Sequence, residues 1–204
     1  MYQNNNNIEN LHNSKILGKI LFSSQDINKR VAELGRQITD DYIDRKPLLI
    51  SVLRGGVIFL TDLARKIDLQ LSIDFIGISS YQMTGSASTG IVKITKDLEE
   101  NIEGKDILIV EDIIDTGLTI NYLLRNLKSR NPGSIEICTL LDRNIRRIAQ
   151  VNIKYTGFMI GDEFVVGYGL DYKQKFRNLD AIYELNTELV KKDFSMIQNI
   201  SSVN

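Results

Sequence analysis

The feature that most constrains the fold is a repeated pattern of short apolar runs, each ending in glycine or an acid and leading into an amphipathic segment. Four such runs are largely continuous rather than alternating, as expected of parallel strands that are covered on both faces. They span residues 48–53, 73–79, 106–110 and 135–141. Because helical segments follow them, the pattern predicts an α/β domain with a mostly parallel core sheet flanked by helices.

Helical spacing marks the intervening segments. Ser23 and Asp26 resemble a capping box, and the apolar residues that follow predict a helix over about 25–43. A second helical run covers 57–67. A third helix is indicated by an apolar face made of Ile120, Leu123, Leu124 and Leu127.

Composition limits the classes of function. The chain has 204 residues, enough for one ordinary domain, and 25 Lys and Arg against 26 Asp and Glu. A charge this close to zero gives no global attraction to nucleic acid or to an anionic membrane, so any phosphate site must be local. The single histidine, His12, and the single cysteine, Cys138, are too few for a zinc site, and any metal must be held by oxygen. Cys138 is predicted to be a small buried hydrophobe.

Several segments bound the domain. Residues 1–14 are polar and Asn-rich and predict a disordered leader, 15–190 carry the domain, and 191–204 form a tail. No apolar stretch approaches the roughly 20 residues of a membrane span, and no secretory signal is evident, so we expect a cytoplasmic protein without a membrane partner. Residues 82–90 are small and polar and predict a long mobile loop that acts as a lid.

The most specific segment is 107–119, which reads ILIVEDIIDTGLT. Backbone amides at a helix start, with the hydroxyls of Thr116 and Thr119, would cradle a monophosphate, and Gly117 would let the backbone approach it. Glu111 and Asp112 would repel that phosphate, so they suit a sugar diol, a metal or a developing cation. Alternatively, the two acids are solvated residues past the strand end and the Thr-Gly pair is a helix cap.

This segment resembles the phosphoribosyl pyrophosphate motif of type I phosphoribosyltransferases, in the form found in hypoxanthine-guanine phosphoribosyltransferases. The resemblance implies that Glu111 and Asp112 hold the ribose hydroxyls and that Asp115 is an acid or base beside the purine imidazole ring. It assigns the 5-phosphate to the loop Asp115, Thr116, Gly117, Leu118 and Thr119. A lysine often follows the motif glycine in this family, where Leu118 stands here.

Two further segments match this family. The sequence LRGG at 53–56 resembles its pyrophosphate loop, which can contain a cis peptide bond before the basic residue, so the resemblance assigns Arg54 and Gly55 to pyrophosphate. Without the resemblance, a glycine turn with a surface arginine is the simpler interpretation. Ser80 and Tyr81 match the dipeptide at the hinge of the family's active-site lid.

The purine end is assigned from DEFVVGYGLD at 162–171. By composition alone, 164–168 is a short strand and Phe164 a core residue. The resemblance implies instead that Phe164 stacks on the purine and that the Val165 backbone meets the edge of the base. It also places Asp171 among these purine-binding residues and implies that Asp171 binds magnesium. Arg177 is implied to contact pyrophosphate.

One position departs from the family pattern. Arg143 stands where the family has a lysine that donates to the exocyclic oxygen of the base, and we expect it to take that role. A cation facing an amino group would lack a partner, so six-oxopurines should be preferred over adenine. Magnesium is the only cofactor that the resemblance implies, with Asp171, Glu111 and Asp112 as its protein ligands.

The resemblance covers about residues 16–185 and implies a type I phosphoribosyltransferase fold with a small hood built from the terminal segments. The implied reaction makes IMP and GMP from hypoxanthine and guanine, as a homodimer or homotetramer without a nucleic-acid partner. Two alternatives stay open. One is a regulator that keeps this fold and binds nucleic acid, and the other is a nucleotide-binding structural protein without turnover.

Overall fold

The structure, a computed structural model, describes residues 16–81 and 91–189. The predicted leader, the tail at 191–204 and the lid segment 82–90 lie outside these ranges. The strands are β1 (Leu17–Phe22), β2 (Leu48–Leu53), β3 (Ser72–Tyr81), β4 (Ile91–Lys96), β5 (Asp106–Ile114), β6 (Ser134–Asp142), β7 (Tyr155–Met159), β8 (Val165–Val166) and β9 (Ile182–Leu185). The α-helices that lie wholly within the described ranges are α1 (Ser24–Asp41), α2 (Val57–Ala64) and α3 (Leu118–Lys128), and a 3-10 turn spans Asn144–Arg146.

The central sheet has the strand order β4-β3-β2-β5-β6-β7. All neighbours in it are parallel except β3 and β4, which are antiparallel. The predicted α/β class with a mostly parallel sheet is confirmed. From β2 the chain first adds β3 on one side and later β5 on the other, so the strand order reverses between β2 and β5. In open α/β sheets, ligands bind outside the carboxyl ends of the strands at this reversal point.

Helix α3 packs on one face of the sheet. The predicted apolar face of α3 is buried at Ile120, Leu123 and Leu127, with Leu124 partly buried against the same cluster. Alternate residues of β2 and β5 complete this core, namely Leu48, Ile50, Ile107 and Ile109. Burying one such side chain stabilises the fold by about 1.5–3 kcal/mol, so the packing of α3 fixes where the chain leaves β5.

The single cysteine lies in the middle of the sheet. Cys138 in β6 is fully buried and free, as predicted. Burial in apolar surroundings raises the pKa of its thiol far above the ordinary value. The thiol therefore acts as a small hydrophobe.

The capping box predicted before α1 is present. The Ser23 N–H donates to Asp26 Oδ2 at 3.1 Å, and the Asp26 N–H donates to Ser23 Oγ at 3.2 Å. These bonds satisfy amides that have no partner within the helix and set its start at Ser24. The predicted end near residue 43 was two residues too long.

Two other predicted elements are shorter than expected. Helix α2 ends at Ala64 instead of residue 67, and the strand predicted over 164–168 is reduced to Val165–Val166. Gly167 and Tyr168 have φ values of 100° and 49°, which are incompatible with an extended strand. The apolar composition of the segment gave no sign of this turn.

The described residues divide into two compact units, one of residues 28–162 and one that joins the described residues before 28 with those after 162. The first contains the six-stranded sheet. In the second, the antiparallel sheet β1-β9-β8 packs on a small core that includes Val166, Phe176, Tyr183 and Leu185. Within the described ranges, no helix is long and apolar enough to cross a membrane.

Candidate active site

The two acids of the motif lie inside β5 and not beyond it. The prediction that Glu111 and Asp112 follow the strand was wrong, because β5 continues to Ile114 and stays paired with β6 in parallel. Apolar Ile113 and Ile114 let the ladder continue past the acids. Glu111 is therefore held rigidly by a central strand, opposite Thr139.

Glu111 is unusual because it carries a carboxyl group and yet is buried, with only 7% of the residue exposed. Burial, and secondarily the negative charge of Asp112, raises the pKa of Glu111 well above its ordinary value of 4.5. In the described part of the chain no basic side chain forms an ion pair with it. A positive charge arriving beside Glu111 would favour its ionised form, and the low local dielectric would strengthen that attraction.

The loop after β5 turns sharply into α3 at Gly117, whose φ is 79°. A Cβ there would lie 2.7 Å from the Ala149 carbonyl oxygen, so glycine is required both by conformation and by packing. The Leu118 N–H is 3.4 Å from Thr116 Oγ1. A cavity of about 180 Å³ opens at this loop, and Glu111, Asp115, Thr116, Gly117 and Thr119 are among the residues that line it.

The loop is braced from behind by a segment that the sequence did not reveal as functional. The Arg147 Nε donates to the Asp115 carbonyl oxygen at 3.1 Å. The N–H groups of Ile148 and Ala149 donate to the Thr116 carbonyl oxygen at 2.9 and 3.0 Å. These contacts join residues about 30 positions apart in the chain, and no sequence motif indicates them.

Asp115 forms an ion pair with the predicted base contact. Arg143 Nη1 lies 3.1 Å from Asp115 Oδ2, and Arg143 Nε donates to the Gly161 carbonyl oxygen at 3.0 Å. Arg143 is only 6% exposed, so this pair is largely desolvated on the arginine side. Asp115 Oδ1 is a buried atom without a hydrogen-bond partner in the described residues. One carboxylate oxygen of Asp115 is thus paired with arginine, and the other has no partner in the described residues.

The loop after β2 lies at the neighbouring strand end. The peptide bond between Leu53 and Arg54 is cis, as in the pyrophosphate loop that the sequence resembles. Arg54 is exposed, and a Cβ at Gly55 would overlap Asp112 Oδ2. Glycine at position 55 therefore allows the Asp112 carboxylate to lie against the loop backbone.

The residues predicted from the segment 162–171, and Arg177 after it, belong to the second unit. Phe164 is 46% exposed, so the core role suggested by composition was wrong. Its ring meets the Tyr172 ring edge-on with centroids 6.2 Å apart, which leaves one aromatic surface accessible. Val165 is 6% exposed in β8.

Asp171 and Arg177 form an ion pair within the second unit. Arg177 Nη2 lies 2.6 Å from Asp171 Oδ1, and Arg177 Nη1 donates to the Gly169 carbonyl oxygen at 2.7 Å. The Gln174 N–H donates to Asp171 Oδ2 at 2.8 Å. Both side chains are one quarter exposed and thus accessible to a ligand.

Ser80 and Tyr81 are the last residues of β3 and pair with Val92 and Ile91 of β4. The loop 82–90 that they were predicted to hinge lies outside the described ranges.

The carboxylates suit a hard cation such as magnesium. Within the described ranges no group of three His, Cys, Asp or Glu side chains could form a metal cage. Magnesium commonly takes only one or two protein carboxylates and completes its shell with phosphate and water oxygens. Glu111 and Asp112, or Asp171 in the second unit, fit that requirement.

A family match covers most of this architecture. The model of the phosphoribosyl transferase domain matches residues 18–173, which include every strand from β2 to β8 and the loops after β2 and β5. The chain belongs to the phosphoribosyl transferase family. The resemblance stated from the loop sequence is therefore confirmed, and the type I phosphoribosyltransferase fold with it.

Individual relatives of this phosphoribosyl transferase agree. It is 48% identical over 178 residues to the hypoxanthine-guanine phosphoribosyltransferase of Staphylococcus epidermidis, covering 87% of this chain and 99% of the relative. It is 43% identical over 181 residues to the bifunctional protein TilS/HprT of Listeria monocytogenes, covering 89% of this chain but 28% of that protein.

A solved structure is similar as well. The crystal structure of a hypoxanthine phosphoribosyltransferase from Staphylococcus aureus superposes with a TM-score of 0.83 at 46% identity, covering 88% of this chain and 96% of that one. These matches favour a phosphoribosyl-transferring enzyme over the nucleic-acid-binding regulator.

Proposed function

We propose that this phosphoribosyltransferase salvages purines by joining hypoxanthine, and also guanine, to 5-phosphoribosyl 1-pyrophosphate, which yields IMP or GMP and pyrophosphate. The observation that carries the proposal is the braced loop after β5. The residues of this loop, with their amides and hydroxyls, line the same cavity as the buried Glu111. A sugar phosphate carries both an anion and a centre that becomes cationic, so it matches both kinds of group in this cavity.

In the proposed complex, the loop from Asp115 to Thr119, including Leu118, binds the 5-phosphate mainly through backbone amides and two threonine hydroxyls. Glu111 and Asp112 accept hydrogen bonds from the ribose hydroxyls. As the bond between the anomeric carbon and pyrophosphate breaks, positive charge develops on the sugar. The two carboxylates are fixed by β5 and stabilise that charge without having to reorganise.

Asp115 is the proposed acid or base. The unprotonated imidazole nitrogen of the base forms a bond to the anomeric carbon as the bond to pyrophosphate breaks, and the ring N–H loses its proton to Asp115, whose Oδ1 has no partner in the described residues. Arg143 holds the other oxygen and donates to the exocyclic oxygen of the base. An amino group at that position would place two donors against each other, which disfavours adenine.

Other roles rest on the family resemblance. Arg54 and Gly55 bind pyrophosphate in the first unit, and Ser80 with Tyr81 forms the lid hinge. In the second unit we assign purine stacking to Phe164, a backbone contact to Val165, and pyrophosphate to Arg177. Glu111, Asp112 and Asp171 are the candidate magnesium ligands. Magnesium, when bound, offsets the charge of the leaving pyrophosphate.

The direct test incubates the protein with phosphoribosyl pyrophosphate and magnesium and measures pyrophosphate after adding hypoxanthine, guanine, xanthine or adenine separately. We expect release with hypoxanthine and guanine, none above the base-free blank with adenine, and loss of turnover when the metal is chelated. Xanthine is ranked by the same assay. The proposal would be overturned if adenine were the only base that supports pyrophosphate release, or if release required no base at all.

We further propose a cytoplasmic homodimer or homotetramer, in line with the family. Sedimentation velocity of the purified chain should give one of these masses, and cell fractionation should recover the activity in the cytoplasmic fraction. A monomer that turns over at the full rate would contradict the assembly but leave the proposed reaction intact.

A further inference from the structure

In the loop after β5, the carbonyl oxygens of Asp115 and Thr116 are held by donors from one short segment, residues 147–149. Asp115 and Thr116 together receive three hydrogen bonds, one from the Arg147 side chain and two from the backbone N–H groups of Ile148 and Ala149. All three donors come from the stretch after the 3-10 turn. Two successive peptide groups are thereby fixed through their oxygens.

The orientation of a carbonyl determines the orientation of the amide in the same peptide group. In a trans peptide the C=O and the following N–H point in opposite directions. With the Asp115 and Thr116 oxygens held by the brace, the N–H groups of Thr116 and Gly117 point to the other side of the loop. Within the described ranges neither of these N–H groups has an acceptor. They are therefore available to an anion.

Arg147 is itself held in place. Its Nη2 forms an ion pair with Asp142 Oδ1, and the two side chains are 17% and 13% exposed. Asp142 ends β6 and is paired in register with Ile114, the last residue of β5. A continuous connection therefore runs from the strand end through Asp142 and Arg147 to the Asp115 carbonyl.

We propose that Arg147 is a positioning residue that aims the amides of the phosphate loop, with Asp142 holding its guanidinium. This inference rests on the proposed function and adds a residue that contacts neither base nor phosphate. Its removal lets the peptide group between Asp115 and Thr116 rotate. The loop then loses affinity for the phosphorylated substrate, while recognition of the base is preserved.

The experiment compares Arg147→Gln with the wild type by calorimetric titration of phosphoribosyl pyrophosphate and by steady-state kinetics. We expect the Kd and KM for phosphoribosyl pyrophosphate to rise about tenfold or more, the typical effect of losing a charge-assisted hydrogen bond. The KM for hypoxanthine should change by less than about threefold. Arg147→Lys keeps a cation for Asp142 and should recover part of the affinity.

Arg130→Gln is the matched control. Arg130 also joins an aspartate, Asp97 at 2.8 Å, and an asparagine, but it follows the C-terminal end of α3, whereas the loop after β5 precedes the N-terminal end of that helix. It should leave both KM values unchanged. A purely structural role for Arg147 predicts equal losses for the two substrates, and that result, or the same split in Arg130→Gln, would overturn the proposal.

If Arg147→Gln does not fold, Asp142→Asn serves instead, because it releases the guanidinium without removing it. The same selective loss of phosphoribosyl pyrophosphate affinity is expected, and unchanged affinity would count against the inference. Binding is measured without turnover. An inactive wild type that still binds phosphoribosyl pyrophosphate tightly, and loses that binding in Arg147→Gln, would therefore refute the proposed reaction and leave this inference standing.

Discussion

Two strand-to-helix junctions lie side by side at the reversal point of the sheet, and they are built differently. The junction after β2 carries an exposed cation, Arg54, and the junction after β5 has no basic residue between Asp115 and Thr119. The first can attract an anion by charge alone. The second would have to bind an anion through amides, which are directional and need a rigid support.

The glycines of the two junctions differ in the same way. Gly55 makes room for a neighbouring carboxylate, that of Asp112, whereas Gly117 adopts a positive φ and fits against Ala149. The β5 junction thus depends on the segment behind it, and the β2 junction on the side chains beside it. We therefore expect substitutions remote from both loops to disturb the loop after β5 more than the loop after β2.

The largest expected effect is at the only proposed proton-transfer group, which belongs to the β5 junction. Asp115→Asn should lower kcat by about 100-fold or more, the usual contribution of general acid–base catalysis. The Kd for phosphoribosyl pyrophosphate should change by less than about threefold. Single-turnover kinetics with calorimetry separates the two. Asp106→Asn, at the opposite end of β5, is the control, and equal losses of turnover and binding in Asp115→Asn would argue against an acid or base role.

Next in size is Gly117→Ala, compared with Gly104→Ala. Both glycines have positive φ, 79° and 72°, so each alanine should cost about 1 kcal/mol or somewhat more in unfolding free energy. Only position 117 has a neighbour that a Cβ would meet, since nothing lies within 4 Å at position 104. Denaturant unfolding should therefore show a larger loss for Gly117→Ala, with weakened phosphoribosyl pyrophosphate binding in that variant alone. Equal losses of unfolding free energy in the two variants would mean that backbone conformation alone, without packing against Ala149, explains the glycine at position 117.

The pH dependence of stability gives a further test at Glu111, which lies in β5 before the second junction. Because burial raises its pKa in the folded state, the folded protein binds more protons than the unfolded chain between the two pKa values. The contribution of Glu111 to stability is complete below the ordinary value of 4.5 and is lost as pH rises through the folded pKa. Glu111→Gln should remove this decline, measured by denaturant unfolding over a pH series. Parallel stability curves for variant and wild type would show that Glu111 ionises freely.

The smallest expected effect is at the β2 junction. Arg54→Gln should weaken binding of phosphoribosyl pyrophosphate by about three- to tenfold, as expected for one exposed cation. The salt dependence of binding should also become shallower. Arg65→Gln, which removes another exposed arginine on the surface beyond α2, should change neither. A larger loss than for Arg147→Gln would reverse the ranking of the two junctions.

Sequence reasoning located the strands whose burial on both faces makes them continuously apolar. It did not find β1, β4, β7 and β9, which lie at the edges of the central sheet or in the small three-stranded sheet. β4 carries lysines at positions 93 and 96, as exposed edge strands often do. Such strands lack the double-sided burial on which the prediction depended.

The candidate site was predictable only where its residues are consecutive. The loop 115–119 and the acids before it form one motif, and the family match supports that identification. The strand end was misplaced because two isoleucines after the acids continue the pairing with β6. Contacts such as that of Arg147 with Asp115, or of Arg143 with Asp115, depend on tertiary packing and leave no periodic trace in the sequence.

The buried thiol of β6 has a practical consequence. The chain contains one cysteine and no tryptophan, so its unfolding has no indole fluorescence signal but has a single possible labelling site. Cys138 has no exposed surface in the folded state, and a reagent that modifies thiols can react only after the sheet opens around it. The rate of modification under native conditions therefore reports the opening free energy of the central sheet, and added substrate that stabilises the fold should slow it.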